Sequence, residues 1–90
     1  MEVSIRIEKP DTSPWPQWDD AQHENDMEFG DMVFELPHHT APSNEDLVRP
    51  SSFDKWEAAI IERRWPNEQR YLELLRILAT EPAYWINVIH

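Results

Sequence analysis

The alternation of apolar and polar residues predicts a strand at each end of the chain. Near the amino terminus Val3, Ile5 and Ile7 alternate with polar neighbours until Pro10, and a period of two is typical of a half-buried strand. Near the carboxyl terminus, residues 83–89 read AYWINVI and are mostly apolar on both faces. We expect that strand to lie in the centre of its sheet or to be covered on both sides.

The stretch between these two strands contains many prolines and predicts irregular structure. Residues 11–30 form an acidic segment with prolines and tryptophans, where a regular helix or a central strand is not expected. The apolar run that follows predicts a second strand at 31–36, with Gly30, the only glycine, marking a bulge or turn. Residues 37–50 contain three further prolines and are predicted to be a linker.

The second half of the chain has the residue spacing of two helices. Phe53 and Trp56 fall on one face of a helix predicted at 53–65, which a serine precedes as N-cap. Pro66 separates it from a second helix at about 66–79, which has a broad apolar face. The order β-β-α-α-β predicts an α+β fold, with about three strands and both helices packed on one face of the sheet.

Composition limits the size of the fold and the chemistry it supports. Ninety residues predict a single domain, 1–90, with a small core. The chain has no cysteine, which excludes disulfides and thiolate catalysis and fits a reducing compartment. No apolar run approaches the ~18 residues of a membrane span, so we expect a soluble protein of the cytoplasm.

The net charge of −10 is confined to the first half of the chain. Residues 1–46 contain twelve acidic and two basic residues, whereas residues 47–90 contain six of each. Such a surface repels nucleic acids and anionic membranes, because both are bound through Lys and Arg. It attracts basic protein surfaces, and fields of this kind speed association.

Large apolar residues are interspersed among these acids, which suggests a protein-binding surface. We expect carboxylates to bind Arg and Lys of a partner while tryptophans serve as anchors, since a few aromatic residues dominate most interfaces. The predicted partner-binding residues are Asp19, Asp20, Glu24, Asp26, Glu28, Asp31, Trp15 and Trp18. The sequence leaves open whether the two tryptophans face a partner or cap the core.

Motifs for catalysis or metal binding are not found in the sequence. A single glycine cannot form a phosphate-binding loop, and no G-x-S-x-G elbow is present. The side chains of His38 and His39 diverge, and the Ca²⁺-loop pattern that could begin at Asp20 has Asn25 where a glycine is required. We therefore predict a protein without catalytic activity, metal or cofactor.

The most economical hypothesis is a small acidic inhibitor or regulator. It would cover the basic, nucleic-acid-handling surface of a nuclease, polymerase, repressor or defence complex, because rows of carboxylates imitate duplex phosphates at about one charge per 1.7 Å. By analogy with anti-defence proteins of phages and mobile elements, it would act in a host cytoplasm. Two alternatives stay open: an immunity protein or antitoxin that uses the same face, and an adaptor subunit that binds through Ile61, Trp65 and Trp85.

Overall fold

One antiparallel sheet organises the molecule. The computed structural model describes residues 2–90, which form three helices and four strands. In chain order they are β1 (Ser4–Glu8), α1 (Asp26–Glu35), β2 (His38–Ala41), β3 (Asn44–Pro50), α2 (Phe53–Arg63), α3 (Glu68–Thr80) and β4 (Trp85–Ile89). The strand order is β1-β4-β3-β2, and all neighbouring strands are antiparallel. The predicted α+β class is confirmed, with one more helix and one more strand than expected.

The core lies between the helices and one face of the sheet. Ile5 pairs with Val88 across β1 and β4, and Val48 pairs with Ile86 across β3 and β4. Because side chains alternate along a strand, these apolar groups share a face. Buried side chains from every helix join this core: Phe29, Met32, Val33, Trp56, Ile60, Tyr71, Leu74 and Leu78. Strand β4 has neighbours on both sides, as predicted from its apolar sequence.

The predicted strand at 31–36 is wrong, because this stretch belongs to helix α1. Within α1 the buried apolar residues include Phe29, Met32 and Val33, at intervals of three and four that match a helix. The apolar run 32–34 suggested a strand, although the spacing of Phe29, Met32 and Val33 is that of a helix. The acidic segment 11–30 is irregular up to Asn25, but its last five residues also belong to α1.

Gly30 lies inside α1 and marks neither a bulge nor a turn. A Cβ atom at this position would lie 3.0 Å from Val88 Cγ1 and 3.6 Å from Val3 Cγ1. Glycine in a helix costs about 1 kcal/mol relative to alanine. Here its lack of a side chain lets the helix backbone approach the sheet closely.

The predicted linker at 37–50 is wrong as well, because β2 and β3 form a hairpin there. Pro42 and Ser43 make its turn, Pro37 precedes β2, and Pro50 is the last residue of β3. Proline is compatible with a turn and with strand ends, where no ladder hydrogen bond from its nitrogen is needed. Composition alone suggested a linker, whereas Val48 is fully buried in the core.

The helices of the second half begin and end close to their predicted bounds. Helix α2 starts after Ser52, whose hydroxyl accepts a hydrogen bond from the Lys55 amide at 3.3 Å. It ends at Arg63, and the next residue, Arg64, has a left-handed backbone with φ of 53°. Helix α3 then begins at Glu68, two residues after Pro66.

An arginine from the sheet caps the carboxyl end of α3. Arg49 donates hydrogen bonds to the carbonyl oxygens of Leu78 at 2.6 Å, Glu81 at 3.4 Å and also Tyr84. The last turn of α3 contains no basic residue, and helix carbonyls at this end need donors and favour positive charge. Burial lowers the pKa of Arg49, but a guanidinium stays charged in proteins. Strand β3 is thereby tied to the end of α3.

Candidate protein-binding surface on the first helix

Helix α1 presents a row of carboxylates to solvent. Glu28, Asp31 and Glu35 are exposed, and their spacing of three and four residues places them on one side of the helix. At a rise of about 1.5 Å per residue, they span about 10 Å along the axis. Glu24 lies just before the helix and is also exposed. These four residues are called the acidic face below.

Most of the charge on the acidic face is not neutralised within residues 2–90. No ion pair within that range involves Glu24, Glu28 or Asp31, and Glu35 is 4.0 Å from Arg63 at its nearest. Glu35 also lies in the last turn of α1, which has no basic residue. A carboxylate there opposes the helix dipole by about 0.3–1 kcal/mol. These charges therefore do little for the fold, which is the property expected of residues that act on a partner.

Two large apolar side chains accompany the acidic face. Met27 is 43% exposed and Phe34 is 50% exposed, and their spacing of seven residues puts them on the same side of α1, two turns apart. The ring of Phe34 meets the ring of His38 edge-on, with centroids 5.8 Å apart. Isolated exposed apolar residues are common. Two of them beside unpaired carboxylates form the combination of apolar anchor and charged rim seen at protein interfaces.

Sequence reasoning missed Phe34 as a candidate because it assigned 31–36 to a strand, and it missed Met27 because it assigned 11–30 to irregular structure. In a strand, Met32 and Phe34 would lie on the same face. On a helix they are about 200° apart, so the burial of Met32 leaves Phe34 in solvent. The spacing of Phe29, Met32 and Val33 is the signal that could have shown which side of α1 faces solvent.

Asp19 and Asp20 lie in the loop that leads to α1, and each already has a partner within the fold. The Asp19 carboxylate accepts a hydrogen bond from the Ala21 amide at 2.9 Å and is 3.0 Å from His23 Nε2. These contacts, the amide first, lower the pKa of Asp19. Asp20 lies 3.5 Å from Arg6 Nε. Both side chains are more than half exposed, and their role in partner binding stays a prediction.

Asp26 must be removed from the predicted binding residues, because it is only 1% exposed. Its carboxylate accepts hydrogen bonds from the Tyr71 hydroxyl at 2.7 Å, Arg70 Nε at 3.3 Å and the His23 amide at 2.9 Å. Burial, followed by the hydrogen bond to Asp26, raises the pKa of Tyr71. Buried carboxylates require such partners, so the negative charge of Asp26 serves to fasten α1 to α3.

Trp15 and Trp18 belong to a segment, residues 14–18, that covers the free edge of β1. We call this segment the strap. The Trp15 amide donates to the Ile7 carbonyl at 2.8 Å, and Trp18 Nε1 donates to the Ile5 carbonyl at 2.7 Å. An exposed sheet edge invites pairing with other chains. The strap therefore supplies hydrogen-bond donors to carbonyl groups on the outer side of β1 and shields that edge from other chains.

The indole rings of the strap are also engaged with the core. Trp15 meets Tyr84 edge-on with ring centroids 5.1 Å apart, and the Arg70 guanidinium lies 4.1 Å from the ring centroid of Trp18. Both tryptophans are half-buried and pack against the core. Of the two possibilities the sequence left open, these positions favour capping of the core. Met27 and Phe34 are the more accessible candidates for apolar anchors.

The residues of the adaptor alternative are placed less favourably for a common surface. Ile61 is 47% exposed, but Trp65 is half-buried and lies edge-on to Tyr71 with centroids 5.3 Å apart. Trp85 is half-buried as well, and the Arg49 guanidinium lies 5.7 Å from its ring centroid. Arg49 and Tyr71 thus already contact two of the three side chains.

Within residues 2–90, no group of three or more His, Cys, Asp or Glu side chains is arranged to hold a metal ion. None of the helices formed by these residues has the length and apolarity to cross a membrane.

Comparisons with known proteins give no family for this chain. A scan against protein-family models, a search of curated proteins and a search of solved structures each returned no match. The proposals below therefore rest on the chemistry of the residues themselves.

Proposed function

We propose that the protein is a non-enzymatic inhibitor or regulator that binds the basic, nucleic-acid-handling surface of a larger protein. The observation that carries the proposal is the acidic face of α1, which is exposed, largely unpaired and accompanied by Met27 and Phe34. Its carboxylates would bind Lys and Arg of the partner. Its apolar side chains would be desolvated in the contact and supply affinity.

Charge mimicry would rest on the sign and alignment of the carboxylates, which are spaced more widely than phosphates. The charges of Glu28, Asp31 and Glu35 are about 4.5–6 Å apart along the axis of α1, from the helical rise and their separation in sequence. Neighbouring phosphates along one strand of a duplex are about 3.4 Å apart along its axis. A basic channel that binds phosphates could bind this row as well, and occupation of the channel would exclude nucleic acid.

A nuclease, polymerase, repressor or defence complex is the class of partner that fits this chemistry. By analogy with small acidic anti-defence proteins of phages and mobile elements, the protein would act in the host cytoplasm. An immunity protein or antitoxin would use the same acidic face against a toxin, so the two functions differ in the partner and not in the binding chemistry.

The proposal is tested by affinity capture with two charge-reversed baits. The first bait carries Glu28→Lys and Asp31→Lys on α1. The matched control carries Asp54→Lys and Glu57→Lys, which change the net charge equally and have the same spacing on α2, where both residues are exposed. Each bait is exposed to lysate of the host cells at low and at high salt, and bound proteins are identified by mass spectrometry.

The expected result is capture of a basic nucleic-acid-binding protein by the wild type and by the α2 control, with loss of at least about tenfold for the α1 variant. Capture should weaken at high salt, since salt screens exposed charges. Equal capture by both reversed baits, or capture unaffected by salt, would contradict the proposal. Circular dichroism of each bait verifies that the fold is retained.

A further inference from the structure

The two outer edges of the sheet are treated differently. The edge of β1 is covered by the strap, through an isolated bridge between Glu8 and Pro14 and the hydrogen bonds of the strap tryptophans. The edge of β2 lies at the opposite end of the sheet. Within residues 2–90 no segment pairs with its outer side, and the side chains of His39 and Thr40 are exposed there.

We propose that the open edge of β2 binds an extended, basic segment of a partner protein as an added strand. Strand addition to a free edge is a common mode of peptide recognition, in which main-chain hydrogen bonds supply affinity and side chains supply specificity. The inference rests on the proposed function in that both require a basic partner. It adds the conformation of the segment that the partner contributes.

The side chains around β2 define what kind of segment fits. At the start of the strand, the ring of Phe34 is half exposed and lies against the ring of His38. The side chain of Glu35, the next residue after Phe34, is 69% exposed. At the far end, Glu45 and Asp46 of the hairpin are exposed. Glu45 and Asp46 belong to β3, so the carboxylate beside the outer edge itself is Glu35, next to the apolar contact with Phe34. The complementary segment carries Lys or Arg together with an apolar side chain that reaches Phe34.

The length of the edge restricts the pairing to a few residues. Strand β2 has four residues, a register shift at Thr40/Ala41, and prolines just outside each end at Pro37 and Pro42. Short edges and irregular register are devices that limit uncontrolled edge pairing. The edge therefore admits a short matching segment and gives little support to indefinite association.

A second copy of this chain is a poor occupant of the edge. Each copy has a net charge of −10, and an antiparallel β2–β2 contact would bring the carboxylates that flank β2 in both copies close together. Like charges across an interface are destabilising. Charge complementarity selects a basic segment instead.

The experiment uses three synthetic peptides with identical side chains, added to the full chain. All three alternate lysine and valine, and in the two control peptides every second backbone nitrogen is methylated. Methylation removes hydrogen-bond donors along one edge of the peptide and keeps its charge. Because the methyl groups can be placed on either of the two sets of alternating nitrogens, one control peptide is prepared for each set. Affinity is measured by calorimetry, and hydrogen exchange by NMR reports protection at the outward-facing amides of β2, those of His38 and Thr40.

Strand addition predicts that the unmethylated peptide binds and protects β2 amides. It also predicts that one methylated register loses about tenfold or more in affinity, because a few backbone hydrogen bonds are lost. Equal affinity of all three peptides would overturn strand pairing. If that affinity fell at high salt, the acidic binding face of the proposed function would still stand. Absence of binding, or protection confined to residues away from β2, would also overturn the inference. So would self-association through β2 without peptide.

Discussion

Asp26 and Asp31 lie on the same helix, five residues apart, and serve opposite purposes. Asp26 is buried and accepts hydrogen bonds from Tyr71, Arg70 and the His23 amide. Asp31 is exposed and has no ion pair within residues 2–90. One carboxylate joins the parts of the fold, and the other stays exposed and unpaired, which is why we propose it as a partner-binding residue.

The difference teaches that charge density alone does not locate a binding surface. Both residues belong to the same run of acids, which carries no lysine or arginine between Asp11 and Glu35. The side chains that bind Asp26, Arg70 and Tyr71, are on α3, more than forty residues further along the chain. A charged residue becomes a candidate for binding only when the fold leaves it unpaired.

The largest expected effect comes from removing the buried carboxylate. Asp26→Ala should lower the free energy of unfolding by about 3 kcal/mol or more, because Arg70 and Tyr71 lose a buried partner. The exposed counterpart, Asp31→Ala, should stay within about 1 kcal/mol of the wild type. Urea denaturation of both variants measures the contrast, and equal midpoints would show that the buried cluster does not stabilise the fold.

A smaller loss is expected from the strap. Trp18→Phe keeps an aromatic ring near Arg70 but removes the Nε1 donor to the Ile5 carbonyl, so stability should fall by about 1 kcal/mol. Trp15→Phe is the matched change, since Trp15 bonds to the sheet through its backbone amide. The same denaturation experiment distinguishes them, and an equal or larger loss for Trp15→Phe would argue against the edge-covering role of Trp18.

Two neutralised glutamates of the acidic face should shift stability in opposite directions. Glu35→Gln removes a carboxylate from the last turn of α1 and should stabilise the protein by about 0.5 kcal/mol at low salt. Glu28→Gln removes one from the first turn, where it favours the dipole, and should destabilise by a similar amount. High salt should reduce both effects. A loss of stability for Glu35→Gln would mean that the contact with Arg63 outweighs the dipole.

The smallest effect concerns acid pH and Asp19. Its pKa lies below the ordinary value of 3.8 because the Ala21 amide, and next His23, stabilise the carboxylate. A folded-state pKa below the unfolded one contributes stability above pH 3.8 that disappears as the pH falls through the lowered pKa. The gap in thermal midpoint between the wild type and Asp19→Asn should therefore narrow on acidification. A gap that widens would contradict this sign.

The α+β class, the first and last strands of the chain and the helices of the second half could be predicted from local patterns. Helix α1 was not predicted, because Met32, Val33 and Phe34 are apolar in succession and this run obscures the helical spacing of Phe29, Met32 and Val33. The hairpin at 37–50 was obscured by prolines, which here occupy a turn and strand ends. Composition alone does not show that these prolines occupy positions where no backbone N–H donor is needed.

Of the predicted site, the sequence located the acidic stretch but not the role of each acid. Glu24, Glu28 and Asp31 are exposed as expected of a binding surface, whereas Asp26 is buried by contacts distant in sequence. The contacts of Trp18 with Ile5 and Arg70 likewise depend on tertiary structure. Phe34 could be recognised as accessible only after its helix was known.

The most direct test of the account is displacement of nucleic acid from the captured partner. A preformed complex of that partner with fluorescently labelled duplex DNA is titrated with the protein, and anisotropy is recorded. The wild type and the variant with Asp54→Lys and Glu57→Lys should release the DNA stoichiometrically, and the variant with Glu28→Lys and Asp31→Lys should require at least about tenfold more protein. Binding of the protein while the DNA stays in place, or equal displacement by both variants, would contradict the claim that the acidic face of α1 occupies the nucleic-acid site.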